Sequence, residues 1–244
     1  MSIAQKLIDI AERIPILYNE GKRLGVIDGR ESERQTFWYD FQEGGNRTAY
    51  NNAFQNVWTD AMFNPVYNMN VTNAGYMFSG TKITNLKKLL EDNGVKLDFS
   101  KATSMDRTFA SASKLTHLPI ISTVSASASH TQNLFYDCKS LISIEKLILK
   151  DDGSQTFNDN SFKNCNELEE IRIEGVIGNT INFQWSKKLS MMSLASIVGA
   201  LSKTSTGQTI TFPTTARTTY DSATISGAWD NLVAMYPNWT FKYA

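Results

Sequence analysis

Apolar residues recur along this chain in two rhythms, and the rhythms divide it. Near the start the steps alternate four and three, through Ile3, Leu7, Ile10, Ile14 and Leu17. That is a heptad seam, and it predicts a helix with one apolar edge. The next seam positions, Gly21, Leu24 and Asp28, let the pattern fade, and Pro15 removes a helical hydrogen bond. In the middle of the chain the period falls towards two. Residues 118–121, 144–149 and 171–173 read as short strands with one buried face. Towards the end Met192, Leu194, Ile197, Val198 and Leu201 space as a helix within 189–201. Residues 209–212 read as a strand, 225–236 as a helix with Trp229, Leu232 and Val233 on one face, and 239–243 as a closing strand.

The central strands belong to a repeat. FSGTKITNL, FASASKLTHL, FYDCKSLISI and FKNCNELEEI begin at Phe78, Phe109, Phe135 and Phe162, at intervals of 31, 26 and 27 residues. A small residue follows three positions on (Thr81, Ala112, Cys138, Cys165), then two aliphatic positions (Ile83 and Leu86, Leu115 and Leu118, Leu141 and Ile144, Leu168 and Ile171). One such unit cannot bury its own apolar edge, but stacked units share a core. Equivalent phenylalanines would then form a ladder, each burial contributing roughly 1.5–3 kcal/mol. Asp151, Asp152, Gly153 and the segment 175–179 supply turns between units. Cys138 and Cys165 share one repeat position, so they fall in adjacent units, where two buried thiols filling a small slot are the expected arrangement.

The pattern Phe-x-x-Cys-x-x-Leu-x-x-Ile resembles the BspA-like (Treponema-type) leucine-rich repeats, over roughly residues 71–190. The last two units match in full. The first two replace Cys with Thr or Ala, and the first is one residue shorter between Phe and the aliphatic. The segment 37–68 and the phrases LILKDDGSQTF, IEGVIGNTINFQWS and PNWTF resemble leucine-rich-repeat proteins encoded by phages and prophages of gut bacteria. The resemblance implies a virion or tail-associated protein, or a surface adhesin.

The fold expected is therefore α+β: a leucine-rich-repeat solenoid with parallel strands on one face, an N-terminal helical stem and a C-terminal α/β cap. The stem covers 1–36, an aromatic-rich cap with Trp38, Tyr39, Trp58 and Tyr67 covers 37–70, the solenoid 71–189 and the C-terminal cap 190–244. The stem residues Ile3, Leu7, Ile10, Ile14 and Leu17 would either pack on their own domain or form a homotrimer or dock on a larger assembly.

Composition narrows the function. The 24 basic and 24 acidic side chains cancel, which argues against a nucleic-acid partner, because binding phosphates needs clustered cations. No apolar run approaches the roughly 20 residues that span a bilayer, so no membrane insertion is expected. The first residues carry Asp9 and Glu12 and lack the order of a secretory signal. Synthesis in a cytoplasm without a signal peptide, and association with a virion, are the expectations. Asn46, Asn70 and Asn238 begin glycosylation sequons that have no consequence in that setting.

Catalytic chemistry finds little support. There is no phosphate loop, dinucleotide fingerprint, Gly-x-Ser-x-Gly elbow or His-Glu-x-x-His helix. Two cysteines with His117 and His130 are too few and scattered for a zinc site. Asp151-Asp152-Gly153 lacks the alternate ligands of a calcium loop. Glu169 and Glu170 would point to opposite faces of a strand. No catalytic residue, cofactor or metal is expected. A non-enzymatic binding protein is, recognising a host-surface glycan or protein through exposed strand positions: Thr116, His117, Ser143, Glu145, Arg172 and Glu174. A structural virion part binding other virion proteins is the alternative, with a bacterial surface adhesin behind it. A glycan depolymerase would need a carboxylate cluster that the repeats do not supply.

Overall fold

The computed structural model describes residues 49–244, apart from 64, 66, 67, 128, 129, 156, 158 and 159. They lie in the second of two units into which the chain divides, Met1–Gly45 and Asn46–Ala244. The stem residues Ile3, Leu7, Ile10, Ile14 and Leu17, and the aromatics Trp38, Tyr39 and Tyr67, fall outside the described residues.

The fold is mixed α/β, with short parallel strands in three small sheets. Strand β1 (Met69–Asn70) pairs with β2 (Leu97–Asp98). Strands β3 (His117–Ser122), β4 (Ser143–Ile148) and β5 (Glu170–Glu174) form the second sheet. Strands β6 (Ile181–Asn182), β7 (Gln208–Phe212) and β8 (Trp239–Tyr243) form the third. Helix α1 (Leu86–Asp92) precedes β2, α2 (Met191–Gly199) precedes β7, and α3 (Ala216–Ala223) and α4 (Ala228–Ala234) precede β8. Parallel strands cannot be joined by a tight hairpin. The backbone must return to its starting side before each new strand, through the turns and helices between them.

A column of rings fills the turns. Phe54, Phe78, Phe109, Phe135, Phe162, Phe183, Phe212 and Phe241 follow one another with neighbouring centroids 4.5 to 6.5 Å apart. The first seven are fully buried and Phe241 is half-buried. The column thus contains the four expected rungs and continues past residue 189. Ile83, Leu115, Leu141, Leu168 and the second aliphatic set, Leu86, Leu118, Ile144 and Ile171, are buried beside it.

The backbone around each rung explains why the rings align. The N–H groups of Phe54, Phe78, Phe109 and Phe135 donate to the carbonyls of Met77, Thr108, Leu134 and Ser161, the residue before the next rung in each case, at 2.6 to 3.0 Å. Two residues further on, Gly80, Ser111 and Asp137 donate likewise to Ala110, Tyr136 and Lys163. Aiming alternate N–H groups the same way through a tight bend requires left-handed residues. They stand two before and two after the rung: Asn52 and Asn56, Tyr76 and Gly80, Arg107 and Ser111, Asn133 and Asp137, with Asn164 after Phe162. Asn, Asp and Gly adopt that conformation most readily, which accounts for most of the choices.

Several elements differ from expectation. Helix α1 was not legible as apolar periodicity because only Leu86 and Leu90 are buried. It is held by the Asn85 side chain, which accepts from Lys88 N at 2.9 Å, and by the Lys88–Asp92 pair at 2.8 Å. The helix expected over 225–236 is shorter, Ala228–Ala234, because Gly227 at φ 79° precedes it and Tyr236 turns inward. Helix α3 was not anticipated. Its sequence, ARTTYDSA, is a weak helix former, and tertiary contacts stabilise it. Tyr220 packs edge-on against Trp229, Arg217 pairs with Asp230, and the Trp229 N–H donates to Asp221 at 2.8 Å.

Candidate functional site

The candidate face is the outer surface of the β3–β4–β5 sheet. Inward positions are apolar: Leu118 and Ile121, Ile144 and Leu147, Ile171 and Ile173. Alternation along each strand turns the intervening polar residues outward. In β3 and β4 two residues, Pro119–Ile120 and Glu145–Lys146, separate the inward positions, whereas β5 has only Arg172. The register shifts there, with Ile144 opposite Ile171 but Leu147 opposite Ile173. This irregularity spreads the outward side chains along the strands.

Helices close both sides of the sheet. Thr116 N donates to Thr84 O, immediately before α1, at 2.6 Å, and Asn85 bridges to His117. On the far side α2 stands where a fourth strand would lie. Ser193 Oγ accepts from Ile171 N at 2.9 Å and donates to Glu169 O at 2.8 Å, and Ser196 Oγ accepts from Ile173 N at 2.8 Å. Two serine hydroxyls therefore satisfy an edge that would otherwise recruit another strand.

The sequence-selected residues divide by environment. His117 and Ser143 are Cα partners, and Ser143 is in turn opposite Glu170, so one polar row crosses the sheet. Thr116 is occupied internally, its hydroxyl donating to Thr84 O at 2.6 Å. Its oxygen lies 2.8 Å from His117 Nδ1. The Asn85 side-chain amide nitrogen lies 3.4 Å from the same Nδ1. Glu145 pairs with Lys87 at 3.2 Å and Glu174 with Lys146 at 2.8 Å. Hydrogen bonds to Glu91 and then Glu145 hold the Lys87 ammonium above its usual range, and the bond from Lys146 holds the Glu174 carboxyl below its usual range. Arg172 is exposed and makes no ion pair among the described residues. Sequence reading missed Lys87, Lys146, Glu170 and the exposed Ile120 on this face. The first two are half-buried stems whose charge counts only through their partners.

Cys138 and Cys165 are free and fully buried in adjacent turns. Burial pushes both thiols up, Cys165 to about 12. Glu169 and Glu170 are both exposed. The Asn238 side-chain amide donates to Ser202 O at 2.9 Å and to Ser205 O, a structural use. No cluster of three His, Cys, Asp or Glu side chains able to hold a metal occurs among the described residues. No helix among them is long and apolar enough to cross a membrane.

No family model matches the chain, and no curated protein or solved structure matches it.

Proposed function

We propose that the described residues form a leucine-rich-repeat solenoid of the BspA-like kind. The protein is a non-enzymatic binding component of a phage or prophage particle, recognising a host-surface glycan or protein. The observation that carries this reading is the phenylalanine column with its repeated left-handed turns. A repeating backbone presents side chains at regular steps, which suits a long or repetitive partner. The row of His117, Ser143 and Glu170, with Glu145, Arg172 and Glu174 beside it, is one such set of steps.

The test is binding of the purified chain to intact cells of a panel of gut bacteria. The reading expects saturable binding to particular strains, abolished by their own extracted surface polysaccharide or by protease treatment of the cells. Absence of binding across the panel, or release of sugar from the polysaccharide, would contradict it.

A further inference from the structure

A second surface lies along the turns around the rungs, away from the strand face. Tyr136 and Lys163 each follow a rung directly, and Trp185 stands two residues after Phe183. They belong to three successive turns. Lys163 Nζ lies 5.9 Å from the Tyr136 ring centroid and 6.0 Å from that of Trp185, so one ammonium sits between two ring faces. All three side chains are half-buried, with part of each open to solvent. A second aromatic–cation pair lies earlier in the chain: the Arg107 guanidinium stacks 5.5 Å from the Tyr76 centroid. Tyr76 and Arg107 each stand two residues before their rungs, Phe78 and Phe109, and so form a separate aromatic–cation pair.

The charges on these turns are not equivalent. Arg107 is neutralised by Asp106 at 2.8 Å, and Lys139 faces Asp137 at 3.4 Å. Lys163 has no carboxylate within ion-pair distance among the described residues, unlike Lys87, Lys88, Lys146 and Lys188. Beside it the Asn164 amide donates once, to Asp137 at 2.9 Å, and keeps a donor and an acceptor for hydroxyl groups. Turns spaced like strands, roughly 4.8 Å apart, put Tyr136 and Trp185 about 10 Å apart. Two aromatic platforms flanking a cation with no carboxylate partner among the described residues, with the Asn164 amide alongside, match sugar faces flanking an acidic group.

We propose that this edge binds an acidic polysaccharide running along the stack, with sugar rings on Tyr136 and Trp185 and a carboxylate on Lys163. The proposal rests on the glycan-binding reading above and moves the contact from the strand face to the edge. On the strand face Lys87 and Lys146 are already paired with Glu145 and Glu174, and Arg172 is the rival cation, with no ion pair among the described residues.

The experiment is affinity electrophoresis of the full chain in gels containing polygalacturonate, alginate or hyaluronate, with dextran and mannan as neutral probes and a single-stranded oligonucleotide as an anionic control. The expected result is retardation by at least one acidic polysaccharide, reduced by salt, and none by the neutral polymers or the oligonucleotide. Lys163→Gln, which removes the charge but keeps a polar side chain and should melt at the same temperature, weakens retardation about tenfold. The pair Tyr136→Ala and Trp185→Ala weakens it further. Retardation lost in Arg172→Gln but kept in Lys163→Gln would overturn the edge in favour of the strand face. Equal retardation by the oligonucleotide would overturn the choice of a glycan. Cell binding without retardation by any acidic polymer would overturn the edge alone and leave the broader reading standing.

Discussion

The Cys165 thiol donates a hydrogen bond to the carbonyl oxygen of Phe135, 3.2 Å away in the preceding turn, and Cys138 does the same to Phe109 at 3.0 Å. In these two units the small position thus ties its turn to the rung before it, a bond that Ala112 in the same position cannot make. Ser186 holds the equivalent position after Phe183 and donates to Cys165 O at 3.2 Å. Both thiols titrate above their ordinary 9.0 in the folded chain, because burial disfavours the thiolate, and Cys165 reaches about 12. An unfolded chain loses these protons first. Stability is therefore unaffected below about pH 9 and falls above it, by roughly 1.4 kcal/mol per pH unit for each thiol. Melting temperature measured from pH 7 to 11 should show the decline. The Cys138→Ser, Cys165→Ser variant should be stable at neutral pH, as Ser186 indicates, and decline less steeply.

Phe135 stands in the middle of the column, 5.8 Å from Phe109 and 5.2 Å from Phe162. Phe135→Ala removes a fully buried ring and both neighbours' partner. A loss of about 3–5 kcal/mol is expected by urea denaturation, and a smaller one for Phe135→Leu.

Ser111 is held at φ 59°, where a side chain costs roughly 1–2 kcal/mol relative to glycine. Gly80 fills the same position one turn earlier. Ser111→Gly should accordingly raise stability by about 0.5–1 kcal/mol, after the added flexibility of the unfolded chain is offset. Gly175 is the opposite case. At φ 90°, a Cβ there would collide with the Leu149 carbonyl, so Gly175→Ala should lower the melting temperature sharply.

Ser193 separates packing from hydrogen bonding at the edge of β5. Its hydroxyl is the partner of Ile171 N, and Ser193→Ala leaves that buried N–H unpaired. A cost of about 1–3 kcal/mol is expected. Hydrogen exchange should quicken at Ile171 while the amides of β3 keep their protection.

Four rungs were legible because Phe, a small residue and aliphatics recur in register at Phe78, Phe109, Phe135 and Phe162. Phe183, with Ser186 and Leu189, keeps the same spacing, but Ser in place of Cys and an interval of only 21 residues hid it. Phe212 and Phe241 sit within strands and lack the surrounding turn altogether, so spacing alone could not reveal them. Phe54 was recognisable only through Asn52 and Asn56, whose left-handed conformation is not written in hydrophobicity. On the candidate face, strand alternation identified outward positions. It could not show that Glu145 and Glu174 are paired, since Lys87 comes from a helix some 58 residues earlier and Lys146 from the neighbouring strand. The edge aromatics were missed for the same reason. Tyr136, Lys163 and Trp185 meet only when the turns are stacked.

Stacking itself is tested most directly by removing one turn. Deleting residues 136–162 joins Phe135 to Lys163, keeps the spacing to Cys165 and Leu168, and leaves β5 to pair with β3. If the turns are interchangeable layers of a solenoid, the shortened chain unfolds in one cooperative thermal transition. Its particle is then about 5 Å shorter along the stack by small-angle scattering. A chain that loses cooperative unfolding, or that stays folded with unchanged dimensions, would contradict the account.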